Sequence, residues 1–434
     1  MNARQQVQDC LDFIDASPSP WHVIASLEQR LRDFGFQRLH ETEHWSLSAG
    51  GRYYVVRDDS SIVMFVAGHK DLAQTGFKIL GAHTDSPGLR LKPNPVLNSE
   101  QLLRLGVEVY GGPILATFSD RDLSLAGRIA YRTDDGTIAS RLLRFEQPLL
   151  RLPNLAIHMN RSVNEDGLKL NKQTELPLLF ANATQQQLAS DRFIELLTQV
   201  AGLAVEQILS WEFNIYDTQK GVFWGDNQAF YADSQLDNLA SCHAGLTALL
   251  NESALNSGNT LVCAFFDHEE IGSESCKGAA GSFLPDVLER VALALDLDKQ
   301  GYHRALANSL MISADMAHAY QPNFPNAYEP GHKIIVNRGP VIKINANHRY
   351  ASTCLSEAAF MQICRQAEVP FQKYAHRGDL PCGSTIGPIA SAKLGMATVD
   401  VGNPMWAMHS ARESAGVQDH TYMIKVLNYF FSSI

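Results

Sequence analysis

Residues 260–270 read TLVCAFFDHEE. The first seven are almost all apolar and do not alternate with polar residues, which fits a strand covered on both faces in a helix-flanked sheet. The run then stops at Asp267, His268, Glu269 and Glu270. Neighbouring carboxylates repel one another, and desolvating them at a core edge is costly unless a cation is at hand. One short stretch therefore predicts both a buried strand and a concentration of charge at its end.

The flanks continue the pattern. LASCHAGLTALL (239–250) precedes this strand as a helix and DVLERVALAL (286–295) follows it as another. SLMISAD (309–315), PVIKIN (340–345) and ATVDVG (397–402) read as apolar strands, and SEAAFMQICRQA (356–367) as a helix. Alternating helices and doubly buried strands define an α/β class with a helix-covered sheet. Upstream, Val7, Leu11 and Ile14 share one helical face, and Ser17-Pro18-Ser19-Pro20 ends that helix. A second helix covers Trp21 to Phe34 and closes at Gly35. Strands follow at Tyr53–Arg57, Ile62–Ala67 and Lys78–Ala82.

The texture changes after Pro93-Asn94-Pro95. Leu103, Leu105, Val107 and Val109 alternate with polar or small residues, the half-buried strand pattern, and a hairpin is centred on Asp135-Gly136. A helix is predicted over Leu188–Leu203, then strands in WEFNIYD (211–217) and GVFWG (221–225). This β-rich stretch, 95–232, reads as a domain inserted into a discontinuous one made of 1–94 and 233–434.

Composition bounds the function. The chain of 434 residues, 45% apolar and 19% charged, is long enough for two or three domains. A formal net charge of -10 argues against nucleic acid and anionic membranes as partners. No positive start followed by an apolar stretch marks a signal peptide, and no apolar run reaches membrane-spanning length, so the expected location is cytoplasmic. Seven scattered cysteines without a C-x-x-C spacing indicate neither a disulfide framework nor a thiolate zinc site.

Metal-capable side chains recur just past apolar strands or at helix starts: His83 and Asp85 in GAHTDS, Asp237 in SQLDNLAS, Glu269-Glu270, Asp315 in MISADMAH and His409 in WAMHSARE. Strand ends on one sheet edge are where α/β folds build sites. Imidazole and carboxylate donors without thiolate suit catalytic zinc, with cobalt or manganese as substitutes. Two ions about 3.5–4 Å apart need a bridging carboxylate and a bridging water. Asp237, Glu270, Asp315 and one hydroxide balance the four charges of two zincs, which leaves Glu269 as a base. In an extended chain residues two apart face the same way, so Asp85 is expected to orient the His83 ring. Position 272 is Gly, so His268-Glu269 is not the helical H-E-x-x-H motif. Taken singly, Asp315 reads as a cap or turn residue, His409 as a satisfied partial-core residue and Glu269-Glu270 as a solvated loop start; their combination carries the argument.

At these motifs the sequence resembles the aspartyl aminopeptidase family of di-zinc metallopeptidases. The matching stretches are AHTDSPGLRLKP, LPNLAIHMNR, SQLDNLAS, FDHEEIGSES, SADMAHA, GPVIKINANHRYAS, DLPCGSTIGP and AMHSARE, spread in order along nearly the whole chain. The resemblance implies a phosphorylase/hydrolase-like three-layer α/β sandwich with a mixed sheet, and an inserted β-rich segment for subunit contacts. It implies one zinc on His83, Asp237 and Asp315, another on Asp237, Glu270 and His409, and Glu269 as general base. It further implies a tetrahedral dodecamer acting on peptides with a free N-terminus, with His158 reaching a neighbouring subunit's site. On the residues alone, His158 is a strand-end residue.

Two readings stay open for Lys343: a lysine on a solvated strand face, or the cation that pairs with an acidic substrate side chain. Gly383-Ser384-Thr385 reads either as a plain loop or as a source of hydrogen bonds to substrate. His318 and His268 are expected to pack beside the site, and Arg412-Glu413 to form a local ion pair. The rival functions are an aminopeptidase for neutral residues, a dipeptidase or deacylase on the same fold, and a non-catalytic metal-stabilised assembly that binds cargo.

Overall fold

The protein is described by a computed structural model covering residues 1–183 and 189–433, the side chains of 189–191 excepted. Four strands, β1 (Gln37–Leu39), β2 (Arg52–Arg57), β3 (Ser61–Val66) and β4 (Phe77–His83), open the chain after helices Ala3–Asp15 and Pro20–Asp33. Six more follow: β5 (Gly88–Ser99), β6 (Leu102–Tyr110), β7 (Leu123–Arg132), β8 (Ile138–Arg144), β9 (Leu178–Asn182) and β10 (Ile208–Asp217). The remainder are β11 (Val222–Trp224), β12 (Phe230–Asp233), β13 (Thr260–Phe266), β14 (Leu310–Ala314), β15 (Ala317–His318), β16 (Val341–Ile344), β17 (Gln372–Ala375), β18 (Ala397–Gly402), β19 (Pro404–Trp406) and β20 (Glu413–Gly416).

The opening stretch behaves as its composition demands. All seven residues of β13 are buried, and they divide by parity. Leu261, Cys263 and Phe265 pack into one core with helices Ala3–Asp15, Leu236–Leu249 and Val417–Ser432. Val262, Ala264 and Phe266 pack into the other with helices Phe283–Ala294, Lys299–Ala307 and Ile386–Leu394. A strand with a helical layer on each face has no polar side, hence the unbroken apolar run. The result is a three-layer α/β architecture around a mixed nine-stranded sheet ordered β1-β2-β3-β13-β4-β14-β18-β16-β17.

Four neighbours at its centre, β13, β4, β14 and β18, are parallel. Their C-terminal ends therefore lie on one edge, and His83 closes β4 there opposite Phe266 of β13. β16 runs antiparallel to β18, with Val341 opposite Gly402, which brings its first residues to the same edge.

β5 to β10 form a separate antiparallel sheet ordered β8-β7-β10-β5-β6-β9. Its core takes Phe193, Leu197 and Ala201 from the helix Ala189–Ala201; Leu188, where the sequence pattern begins that helix, lies outside the described residues. The texture break at Pro93-Asn94-Pro95 falls inside β5. There the register against β6 shifts between Leu91 and Val96, because proline has no N–H for the ladder. The sheet itself spans Gly88 to Asp217. The third sheet, β11-β12-β20-β19-β15, joins β11 and β12 to C-terminal strands. No helix among the described residues is long and apolar enough to cross a membrane.

Candidate metal centre and substrate cleft

Five segments meet at the parallel edge: the end of β4, the start of helix Leu236–Leu249, the turn after β13, the residue after β14 and the turn between β19 and β20. They bring His83, Asp237, Glu270, Asp315 and His409 together. His83 Nε2 lies 3.3 Å from Asp237 Oδ1 and 3.5 Å from Asp315 Oδ1. His409 Nε2 lies 3.5 Å from Asp237 Oδ2 and 3.3 Å from Glu270 Oε1. Asp237 thus turns one oxygen toward each histidine. The Asp237-Asn238 peptide bond is cis.

The other ring nitrogen of each histidine is already committed. His83 Nδ1 is 2.9 Å from the Asp85 carbonyl oxygen, and His409 Nδ1 is 3.1 Å from that of Gly112. A carbonyl only accepts, so each Nδ1 carries a proton and each neutral ring presents a bare Nε2 lone pair to carboxylates. Lone pairs facing one another at about 3.3–3.5 Å repel unless a proton or a metal ion lies between them. Asp237 Oδ1 is buried and has no hydrogen-bond donor. One ligating atom each from His83, Asp237 and Glu270 falls within a 4.8 Å cluster. These residues fit a cation-binding centre.

The electrostatics agree. Burial lowers the affinity of His409 for a proton, but Asp237 and Glu270 outweigh it and raise the group to about 11. Burial raises Glu270 to about 7 against the pull of His409. Glu269 is pushed well above the usual carboxylate range by burial, with His83 opposing and Asp315 and Glu270 adding to the rise. A multivalent cation would relieve this crowding.

Asp85 holds the His83 ring through its main chain and the neighbouring turn through its carboxylate. Its carboxylate is 3.6 Å from His83 Nδ1, beyond hydrogen-bond reach, and the ring bonds to the Asp85 main chain instead. The wholly buried carboxylate accepts the backbone N–H groups of Glu269 and Glu270, each at 3.1 Å, and the Tyr110 hydroxyl at 2.7 Å. It holds the turn that presents both glutamates. That turn closes with the Gly272 N–H donating to the Glu269 carbonyl at a φ of 100°, which explains the glycine. Asp267 supports it from below, pairing with the buried Lys277 ammonium at 3.1 Å.

The centre opens into a cleft of about 440 Å³ whose wall includes Glu269, His318, Lys343, Tyr350, Gly383 and Ser384. Lys343 is buried rather than on a solvated face. Its ammonium lies 3.2 Å from Asp315 Oδ2 and 5.4 Å from the centre of the Tyr350 ring. Gly383 and Ser384 are exposed at the rim. Thr385 also lines the cleft, but its hydroxyl donates to the buried Asp400 at 2.6 Å and caps the helix Ile386–Leu394. His318 lines the wall, and burial lowers it to about 4, with the Lys343 charge adding to the effect. His158 is not among the cleft residues: it sits in an exposed turn rather than at a strand end, flanked by exposed Ile157 and Met159.

Arg412 and Glu413 do not pair with each other as expected. Arg412 bonds the carbonyls of Gln219 and Lys220 and lies 3.7 Å from Asp233. Glu413, buried, accepts the backbone N–H of His409 at 2.6 Å and of Asp237 at 3.0 Å, tying the segments that carry these two residues together. Glu413 and Tyr110 are the functional residues the sequence reading missed. The only signal for Glu413 was its place four residues after His409.

An α/β sheet edge that gathers imidazoles and carboxylates beside a cleft defines a metal-dependent hydrolase. Residues 13–431 match the model of the aminopeptidase I zinc metalloprotease family, M18, and the chain belongs to that family, as an aminopeptidase of the aspartyl aminopeptidase-like type. It is 46% identical over 428 residues to the probable M18 family aminopeptidase 2 of Stutzerimonas stutzeri (strain A1501), and shows the same identity over 428 residues to that of Azotobacter vinelandii (strain DJ / ATCC BAA-1303). Both alignments cover 98% of each chain. Among solved structures, it is similar to one from the cryo-EM complex of Ape4 and Nbr1, with a TM-score of 0.95 and 37% identity over 99% of this chain and 86% of that one. It is also similar to the mApe1 dodecamer of S. cerevisiae, with a TM-score of 0.85 and 27% identity over 98% of this chain and 96% of that one.

Proposed function

We propose that this aminopeptidase removes acidic N-terminal residues, Asp or Glu, from peptides at a two-zinc centre with Glu269 as general base. The carrying observation is the division of Asp237: one oxygen toward His83, which Asp315 also approaches, the other toward His409, which Glu270 also approaches. His83, Asp315 and Asp237 would hold one ion; Glu270, His409 and Asp237 the other. Cobalt(II) or manganese(II) would substitute. When bound, the zinc pair supplies Lewis acidity and lowers the pKa of contacting water toward neutrality.

The chain's own groups do the rest. Glu269 takes a proton from the attacking water and hands it to the leaving amine, acid–base work typically contributing about 10²–10⁴ in rate. Asp85 keeps Glu269 in reach by holding its backbone N–H. Lys343, buried in the cleft wall, would pair with the acidic side chain of the first residue, a charge-assisted contact strengthened by burial. Gly383, Ser384 and the backbone at Thr385 would border the substrate.

The chain 95–232 would be the subunit-contact domain of a tetrahedral dodecamer in the cytoplasm, with His158 completing a neighbour's cleft. Exposed Leu155, Ile157 and Met159 beside His158 support an interface there, as does likeness to a protein solved as a dodecamer.

A second reading has an observation in its favour. The Lys343 ammonium is already partly neutralised by Asp315, which suits an enzyme for neutral first residues. The deciding measurement is kcat/KM on substrates with Asp, Glu, Leu or Lys first. Preference for Asp and Glu supports the first reading, preference for Leu the second. No turnover of any would overturn both.

A further inference from the structure

The helix Leu236–Leu249 carries a second cluster of ligating side chains, away from the cleft. One ring nitrogen each of His243 and His420 and the sulfur of Cys10 lie within 4.8 Å of one another, where this helix meets Ala3–Asp15 and Val417–Ser432. All three residues are completely buried, and Cys10 forms no disulfide. Peptide hydrolysis uses none of them.

A hydrogen-bonded line fixes the protons here. Arg30 donates to both Asp9 carboxylate oxygens at 2.9 Å. Asp9 Oδ2 is 2.9 Å from His243 Nε2, and His243 Nδ1 is 2.9 Å from His420 Nε2. The carboxylate places a proton on His243 Nε2, so the neutral ring accepts through Nδ1, and His420 donates from Nε2. His420 Nδ1 is then a bare lone pair, and it is buried with no hydrogen-bond partner. A histidine whose far N–H is anchored, here through His243, to a carboxylate has the support that metal-bound histidines show. The Cys10 thiol lies within 4.8 Å of one nitrogen of the same ring.

We propose that Cys10 Sγ and His420 Nδ1 form a third metal site, structural rather than catalytic, for a thiophilic ion of the zinc or copper(I) class. Sulfur and imidazole donors select such ions over hard cations. Copper(I) leaves the His243–His420 hydrogen bond intact. Zinc, preferring more ligands, would draw His243 in as a third. On binding, the Cys10 S–H bond breaks, its proton leaves to solvent and a sulfur–metal bond forms, with no change of oxidation state. The ion would pin helices Ala3–Asp15 and Val417–Ser432 together, and with zinc also Leu236–Leu249, whose start carries Asp237.

The site shares no residue with the peptidase centre, so its test stands whatever that centre holds. The full-length protein is stripped with chelator, in a background where the exposed or half-buried cysteines are changed (Cys276→Ser, Cys354→Ser, Cys382→Ser). It is then reloaded anaerobically with cobalt(II), as a zinc probe, or with copper(I). A thiolate-to-cobalt charge-transfer band assigns the zinc class; copper(I) uptake of about one ion per subunit without that band assigns copper. Either signal should vanish with Cys10→Ser, since the proposed peptidase ligands contain no sulfur. Should Cys10→Ser fail to fold, X-ray absorption of the loaded protein with Cys10 intact reads the site directly, a sulfur at about 2.3 Å marking bound zinc. A loaded protein with only nitrogen and oxygen around its metal overturns the proposal, and so does uptake that Cys10→Ser leaves unchanged.

Discussion

At the start of the helix Leu236–Leu249, Asp237 faces His83 and His409; six residues on, His243 faces Asp9 and His420. Both places gather buried histidines, but they differ in carboxylates and in access. Carboxylates surround His83 and His409 and, against the effect of burial, raise both. Burial dominates at the other end: His243 and His420 are lowered, with Asp9 opposing. One cluster opens on a cleft and the other is enclosed by core. Histidine and burial alone therefore define no chemistry. The donor set decides which class of cation is attracted, hard or borderline ions where carboxylates gather and thiophilic ions beside a thiol, and access to the cleft decides whether the ion can act on substrate.

If Asp237 is the hinge of that contrast, removing its charge has the largest effect. Asp237→Asn should lose metal from both halves of the peptidase centre and bring activity to background, read by metal analysis beside kcat. Retention of full metal content would break the bridging assignment. Glu269→Gln comes next: kcat should fall by about 10²–10⁴ while metal content holds. Near-normal kcat removes Glu269 from proton transfer.

The contrast also shows what the sequence could carry. β13 was legible because a strand between two helical layers has no polar face. The residues gathered at the sheet edge could be picked out because imidazole and carboxylate at strand ends are uncommon without a reason. The sheet order was not, since β13 lies between β3 and β4 through pairings about 180–200 residues apart. Glu413 and the true partners of Asp85 were hidden for another reason. Both carboxylates accept backbone N–H groups from distant segments, and any residue type donates such a group. Thr385 read only as loop or substrate contact, although a threonine just before an apolar run is a cap signal, and it caps the helix Ile386–Leu394.

Glu413→Gln sharpens this point. Glutamine keeps one acceptor oxygen and turns an NH₂ toward a backbone N–H, so one of the two ties is lost. Leaving a buried donor unpaired costs about 1–3 kcal/mol, and losing support behind ligands typically weakens metal binding about 10–100-fold. Thermal unfolding and zinc titration check the two parts; wild-type values in both would make Glu413 mere filling. Lys343→Met tests the cleft rather than the metals. kcat/KM should fall about 10–100-fold for Asp and Glu substrates, the worth of one charge-assisted contact, and stay nearly level for Leu. An equal fall on all substrates would assign Lys343 to holding Asp315 instead.

His22 supplies the baseline for what burial does to a histidine outside both clusters. It bonds Ser19 Oγ at 2.7 Å, and burial, helped by the Arg144 charge, lowers it to about 4 from the usual 6.5. A histidine depressed in the fold contributes its stability above the unfolded value of about 6.5 and loses it as pH falls toward 4. Between pH 7.5 and 5.5 the loss should be about 1.4 kcal/mol, one pH unit below the unfolded value. His22→Gln does not titrate, so its stability should drop less over that interval, by about this amount, whatever its stability at pH 7.5. Denaturant unfolding of both proteins at the two pH values reads the difference. Parallel slopes would mean that the pocket admits a proton on His22 freely, and that burial at Pro20–Asp33 is looser than at the two clusters.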